Sequence, residues 1–152
     1  SLMVVDSILQ DIKYADLTNI KIQEAKGRFE IVNDSPIKII DGAHNYEGVE
    51  ILLRNYENKY GHLNTDLFVG FKKGKDINNI FNLIIGKTNY NLHLIEDDTF
   101  FDQEITKEIG YLLDKHGKNY KISSLEQFNR NKNPSILLGS LYLIGEYKKR
   151  NI

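Results

Sequence analysis

The chain has 152 residues, with 20 Lys and Arg against 21 Asp and Glu and a net charge of −1, so it lacks the basic surplus typical of a nucleic-acid-binding protein. It contains no cysteine, which excludes disulfide and thiolate chemistry. No apolar run reaches the length of a membrane span and no signal peptide is visible, so we expect a soluble, cytoplasmic protein with neither a nucleic-acid nor a membrane partner.

The first 26 residues predict a helical segment ahead of the main domain. Apolar side chains recur at helical spacing between Val4 and Ile12, and a shorter helix is predicted from residue 18 or 19 to Ala25. We therefore place a domain boundary near Lys26 and expect residues 27–152 to fold as one domain.

Strands and helices alternate through the rest of the chain, which favours an α/β fold. Strands are predicted at residues 29–33, 37–40, 66–71, 91–95, 120–122 and 135–138. Helices are predicted at residues 46–60, 77–85, 102–116, 124–129 and 140–149. A turn at residues 33–36 makes the first two strands antiparallel, and the others are expected to be parallel. The predicted fold is a Rossmann-like, three-layer α/β domain with a mixed, mostly parallel sheet and an N-terminal helical appendage.

The second predicted strand runs directly into Asp41-Gly42-Ala43-His44-Asn45, just before a helix. Ligands of open α/β sheets bind at this place, beyond the carboxyl ends of the strands. Asp41 can accept hydrogen bonds from a vicinal diol such as a ribose, and Gly42 lets the backbone approach a ligand closely. Arg28, just before the first strand, offers a planar set of donors suited to phosphate.

Each of these residues also has a purely structural interpretation. Asp41 has the residue type of a helix N-cap, His44 that of a polar residue at a helix start, and Arg28 that of a surface charge. Neither interpretation is excluded for any one residue alone, but their combination favours a ligand site.

The sequence resembles the C-terminal domain of folylpolyglutamate synthases and bifunctional dihydrofolate synthases, members of the Mur ligase superfamily. The resemblance rests first on Gly27-Arg28-Phe29-Glu30 followed, after a spacer and an apolar strand, by Asp41-Gly42-Ala43-His44-Asn45. Phe68-Val69-Gly70-Phe71, Lys75-Asp76 and Leu138-Gly139-Ser140-Leu141-Tyr142 follow in the order of the family. The resemblance covers residues 27–149, so residues 1–26 are expected to belong to the end of an N-terminal domain.

The resemblance implies an ATP-dependent ligase that phosphorylates a folate carboxylate and lets the amine of L-glutamate attack the acyl phosphate. ATP binds between two domains in this family, and the N-terminal domain carries the P-loop and the Mg²⁺ ligands. Arg28 and Asp41 are then expected to contact ATP. His44 and Ser140 are expected to act at the reaction centre, and both, with Asn45, to bind the substrate.

The chain departs from the family pattern in three places. No Gly-x-x-x-x-Gly-Lys-Ser/Thr motif occurs, and residues 70–76 are one residue short of it, so we predict an exposed loop there with Asp76 as a helix cap. Tyr46 stands where the family often has proline, and residues 96–101 lack a Pro-Arg pair. The chain is therefore expected to hold half of an active site and to be inactive without its P-loop domain.

Two other functions stay open at this point. The chain could be a stand-alone, non-catalytic module that binds a nucleotide or a partner, or a Mur-type ligase domain with another acceptor. Dihydrofolate synthase and folylpolyglutamate synthase activities are not separated by these motifs. The spacing of His62, His93 and His116 does not predict a zinc site, and no metal site is expected within this chain.

Overall fold

The computed structural model describes residues 27–72, 76–97 and 103–151. The helices predicted within residues 1–26, and the boundary near Lys26, lie outside the described residues. None of the described helices has the length and apolar character that crossing a membrane requires.

Six strands form one sheet in the order β1-β2-β6-β3-β4-β5. The strands are β1 (Glu30–Asp34), β2 (Ile37–Asp41), β3 (Thr65–Val69), β4 (Tyr90–Ile95), β5 (Tyr120–Ser123) and β6 (Ser135–Leu138). β1 pairs antiparallel with β2, and all the other pairs are parallel. The last strand of the chain thus lies between the second and the third.

The described part of the chain has five helices, four between strands and one after β6. They are α1 (Tyr46–Tyr60), α2 (Ile77–Ile85), α3 (Gln103–Lys115), α4 (Leu125–Arg130) and α5 (Leu141–Arg150). Local sequence explains the ends of α1: the Asn45 side chain accepts a hydrogen bond from the Gly48 amide, and Gly61 ends the helix at a φ of 72°.

The sheet is covered on both faces, which gives the three layers. α1, α2 and α3 pack on one face in a cluster that includes Leu53, Phe81 and Ile109. α4 and α5 pack on the other face around Phe128 and Leu143. Because consecutive strand residues point to opposite faces, β2 sends Ile39 into the first cluster and Ile40 into the second.

The predicted α/β class and the mostly parallel sheet are confirmed. α1, α2 and β6 have the predicted bounds, and the other elements agree within two residues at each end. The predicted cap at Asp76 is only partly right. Asp76 does precede α2, but its carboxylate accepts a hydrogen bond from the Asn79 side chain and caps no backbone amide.

Candidate functional site

The carboxyl ends of β2, β6 and β3 lie side by side, and we call this region the carboxyl edge. The chain leaves β2 toward α1 on one face of the sheet and leaves β6 toward α5 on the other. Parallel sheets open a crevice where neighbouring connections diverge in this way, and ligands bind there. Asp41 ends β2 and Ser140 follows β6, so the fold brings the two predicted site segments together.

The Asp41 carboxylate joins two segments of the backbone at the carboxyl edge. Its Oδ2 accepts the Phe29 amide at 2.9 Å, and its Oδ1 accepts the Ala43 amide at 2.8 Å. The Gly42 amide donates to the Gly27 carbonyl at 2.6 Å. Phe29 has a φ of 44°, a left-handed conformation that side chains rarely adopt. Asp41 therefore stabilises the loop that presents Arg28.

Burial and the groups around Asp41 have opposing effects on the pKa of its carboxyl. Burial raises the pKa of the Asp41 carboxyl, while hydrogen bonds from the Phe29 and Ala43 amides and the nearby Arg28 charge act to lower it. Arg28 Nη1 lies 4.0 Å from Asp41 Oδ1, and the Arg28 side chain is 46% exposed against 8% for Asp41. Arg28 therefore remains accessible to an anion from solvent, whereas Asp41 lies beneath it.

His44 and Asn45 have different roles in the local structure. His44 Nδ1 lies 3.1 Å from the Gly42 carbonyl oxygen. Since a carbonyl only accepts, Nδ1 carries the hydrogen of this bond, and Nε2 of the neutral ring is an acceptor. Asn45 Oδ1 accepts the Gly48 amide at 2.8 Å. Asn45 is thus the N-cap of α1, and the interpretation of Asp41 as that cap is wrong.

Ser140 lies between β6 and α5 and is the N-cap of α5. Its Oγ accepts the Leu143 amide at 3.0 Å, and the residue is only 7% exposed. Ser140 is therefore a helix cap whose hydroxyl hydrogen is still able to donate to a ligand.

Gly42 has a packing role within this chain. A Cβ at Gly42 would lie 2.4 Å from Leu141 Cδ2, so the missing side chain makes room for the start of α5. The close approach at Gly42 is made by another part of this chain.

Sequence reasoning missed one pair of residues at this edge. Lys72 follows β3, and its Nζ lies 3.9 Å from the centroid of the Tyr142 ring in α5. The two residues are 70 positions apart, so no local pattern joins them. The fold brings them together because β3 and β6 are neighbours.

A second polar cluster lies at the opposite end of the strands, which we call the amino edge. A cleft of about 570 Å³ opens there, lined by residues that include Asp66, Asn91 and Asn133. Asp66 Oδ1 accepts the Asn91 side-chain amide at 3.0 Å, and Oδ2 accepts those of Asn131 and Asn133 at 3.0 and 3.1 Å. The three asparagine amides thus donate to Asp66 within the cluster. Since Asn131 and Asn133 lie in the loop before β6, their hydrogen bonds attach that loop to the sheet.

The environment of Asp66 determines its charge. Burial acts to raise the pKa of Asp66, but the nearby His93 ring and hydrogen bonds from Asn133, Asn91 and Asn131 outweigh it and hold the pKa well below its usual range. A carboxyl whose pKa is lower in the folded state stabilises the fold above its unfolded pKa, near 4. That contribution is lost as the pH falls toward the folded pKa.

Asp66→Asn tests this assignment. The new amide group would face the Asn131 and Asn133 amides, so we expect the free energy of unfolding to fall by about 1–3 kcal/mol at neutral pH. The wild-type stability should decline as the pH drops below about 5, and the variant should decline less. Urea unfolding at several pH values measures both effects. Asp114→Asn, at an exposed position of α3, should keep the wild-type pH dependence. A variant as stable as wild type would contradict the assignment.

No group of three or more His, Asp and Glu side chains suited to a metal ion occurs in the described ranges. At the carboxyl edge, both Asp41 oxygens already accept backbone amides.

Solved structures of folylpolyglutamate synthases are similar to this chain in fold. The folylpolyglutamate synthase of Thermotoga maritima matches with a TM-score of 0.65 and 23% identity, over 81% of this chain and 30% of that one. The Helicobacter pylori folylpolyglutamate synthetase matches with a TM-score of 0.61 and 19% identity, over 82% of this chain and 31% of that one. The bifunctional folylpolyglutamate synthase/dihydrofolate synthase of Yersinia pestis, in complex with AMPPNP and a Mn ion, gives 0.61 and 18%, over 82% and 31%.

No family model matches the chain, and no curated protein matches its sequence. The chain spans about 30% of the length of the solved structures above, and the match falls in their C-terminal part. The chain therefore has the fold of the C-terminal domain of folylpolyglutamate synthases, which is the Mur ligase C-terminal domain fold.

Proposed function

We propose that this chain is the C-terminal domain of an ATP-dependent ligase that adds L-glutamate to a folate carboxylate through an acyl phosphate. The observation that carries the proposal is the cluster at the carboxyl edge. An accessible arginine lies there beside a buried carboxylate, next to a histidine and a capped helix start. One of the structurally similar enzymes was determined with an ATP analogue, which supports a nucleotide ligand for this fold.

In this proposal Arg28 and Asp41 bind the nucleotide. The exposed guanidinium of Arg28 contacts a phosphate, with its fork of donors matching two phosphate oxygens. Each Asp41 oxygen accepts one backbone amide and keeps a second lone pair, so the carboxylate is still able to accept a ribose hydroxyl. Asp41 has a further role in this arrangement, because it holds the loop that carries Arg28.

His44, Asn45 and Ser140 act on the amino-acid side of the proposed site. The folate carboxylate takes the γ-phosphoryl group and ADP leaves. The glutamate amine then attacks the acyl carbon, releasing phosphate and losing a proton. His44 Nε2, as an acceptor, orients that amine, and the Ser140 hydroxyl donates to a substrate oxygen. Asn45 has its side-chain oxygen in the α1 cap, so its contribution to substrate binding is through its amide hydrogens.

The rest of the catalytic machinery is assigned to a P-loop domain of the same polypeptide. Mg²⁺ would neutralise charge on the phosphates during transfer, and its ligands are expected in that domain. Recognition of the pterin is also placed there, so the proposal covers both dihydrofolate synthase and folylpolyglutamate synthase activity. The isolated chain is expected to bind nucleotide weakly and to catalyse nothing alone.

Nucleotide binding is the direct test. When ADP is titrated into the isolated chain, we expect changes in the NMR amide signals of Gly42 and Ala43, with those of Asn91 at the amino edge unmoved. Arg28→Met should raise the Kd for ADP about three- to tenfold, because it removes one partly exposed charged contact. Arg54→Met, at an exposed position of α1, is the matched control and should bind ADP as wild type does. An Arg28→Met variant with unchanged affinity would remove Arg28 from the site.

Catalysis is tested as ADP release with ATP, reduced folate and L-glutamate. We expect no turnover with the isolated chain, and turnover with a polypeptide in which a P-loop domain precedes it. Turnover by the isolated chain would overturn the two-domain proposal.

A further inference from the structure

Lys72 lies over an aromatic ring at the carboxyl edge, and the proposed function does not use it. Its Nζ lies 3.9 Å from the centre of the Tyr142 ring. Tyr142 is the second residue of α5 and is 51% exposed, and Lys72 is exposed as well. The surrounding backbone holds the pair together, since a Cβ at Gly139 would lie only 2.0 Å from the Gly70 carbonyl oxygen. The ends of β3 and β6 are thus in direct backbone contact just before the two side chains.

The charge of Lys72 is positioned without being neutralised. The face of an aromatic ring attracts an ammonium group but carries no net charge. Other lysines of the chain are paired differently: Lys87 lies 3.1 Å from a Glu57 oxygen, and Lys148 lies 2.8 Å from one of Glu30. Within residues 27–72, 76–97 and 103–151, Lys72 forms no such ion pair with a carboxylate. Its charge therefore remains available to an anion.

The two cations of the carboxyl edge belong to strand ends on either side of β6. Arg28 is beside the end of β2, Lys72 is beyond the end of β3, and β6 runs between these strands. Two interstrand spacings amount to about 10 Å. The N-terminus of α5, which carries a partial positive charge, follows β6, the strand between β2 and β3. An extended anion lying across this edge would meet all three positive groups.

We propose that Lys72 binds an anionic oxygen of the ligand at the carboxyl edge, and that Tyr142 is the residue that positions Lys72. The inference rests on the proposed function and adds a second cation to its site. The oxygen belongs either to a nucleotide phosphate or to the carboxylate of the amino-acid substrate, because an ammonium group binds both in the same way. The two sources are separated by titrating each ligand alone.

The experiment titrates ADP and, separately, L-glutamate into the isolated chain, with amide NMR signals as the readout. Lys72→Met should raise the Kd of the ligand it contacts about three- to tenfold. Tyr142→Leu should raise the same Kd about two- to fourfold, since the ammonium group loses the ring that positions it. Tyr142→Phe keeps the ring and should bind within about twofold of wild type.

Lys59→Met is the matched control for these variants. Lys59 also lies over a tyrosine ring, with its Nζ 5.6 Å from the centre of Tyr60, but at the end of α1 distant from the carboxyl edge. It should leave both affinities unchanged. The dispersion of the amide spectrum shows that each variant is folded.

Each outcome decides the inference. A higher Kd for ADP alone assigns the phosphate, and a higher Kd for glutamate alone assigns the carboxylate. If Lys72→Met binds every ligand as tightly as wild type does, Lys72 is a solvated surface charge and the inference is wrong. If the wild-type chain binds neither ADP nor glutamate, the carboxyl edge is not a ligand site of the isolated chain and the inference is wrong, whereas the ligase proposal is decided by the turnover experiment with the two-domain polypeptide.

Discussion

Gly139→Ala is expected to lower the free energy of unfolding by about 3 kcal/mol or more, from steric overlap and backbone strain together. Gly139 has a φ of 135°, which L side chains rarely adopt. A Cβ there would also lie 2.0 Å from the Gly70 carbonyl oxygen and 2.9 Å from its nitrogen. Both obstructing atoms belong to the backbone, so no side-chain rotation relieves the overlap. Urea unfolding measures the loss.

Gly145→Ala, within the helix that follows Gly139, is the control for this change. Gly145 lies within α5 with no atom within 4 Å of the position of a new Cβ. Alanine in an exposed helix interior should stabilise the chain by about 0.5–1 kcal/mol relative to glycine. Equal unfolding midpoints for Gly139→Ala and wild type would show that β3 and β6 separate freely at their ends, against the contact described above.

Asp41→Ala is expected to lower the free energy of unfolding by about 2–4 kcal/mol, because it leaves two backbone amides without their acceptor. These are the amides of Phe29 and Ala43, which hydrogen-bond the Asp41 carboxylate at 2.9 and 2.8 Å. The same change removes the support of the left-handed Phe29 conformation. We therefore expect the NMR amide signal of Phe29 to shift even without ligand. Denaturant unfolding gives the stability.

Asp34→Ala is the matched control, because Asp34 lies exposed at the end of β1. It should change stability by no more than about 0.5 kcal/mol. An Asp41→Ala variant as stable as this control would show that the two backbone hydrogen bonds contribute nothing net. A fall in nucleotide affinity on Asp41→Ala would combine a lost ligand contact with a displaced Arg28, so Arg28→Met is the sharper test of binding.

Local sequence signals predicted the individual elements well. α1 could be predicted because its apolar residues recur at helical spacing up to Tyr56 and Gly61 follows the last turn. The antiparallel pairing of β1 and β2 followed from the turn between them. The position proposed for the site rests on a polar segment placed directly after a buried strand. All of these signals act over a few residues.

Non-local arrangements could not be predicted in the same way. Nothing near residues 135–138 indicates that β6 inserts between β2 and β3, because that choice depends on how the connecting helices cover the two faces. The cation–π pair of Lys72 and Tyr142 depends on this insertion and was missed for that reason. The packing of Leu141 against Gly42 was missed as well, since Leu141 comes from a distant part of the chain.

The central position of the last strand has a consequence for synthesis and folding. Until residues 135–138 are made, β2 and β3 each lack the neighbour that their inner edge pairs with in the native sheet. Such unpaired edges are sites of aggregation, and long-range strand pairing is slow because the intervening loop must be closed first. The domain is therefore vulnerable through most of its own translation, and a chain that ends before β6 lacks the strand that joins its two halves.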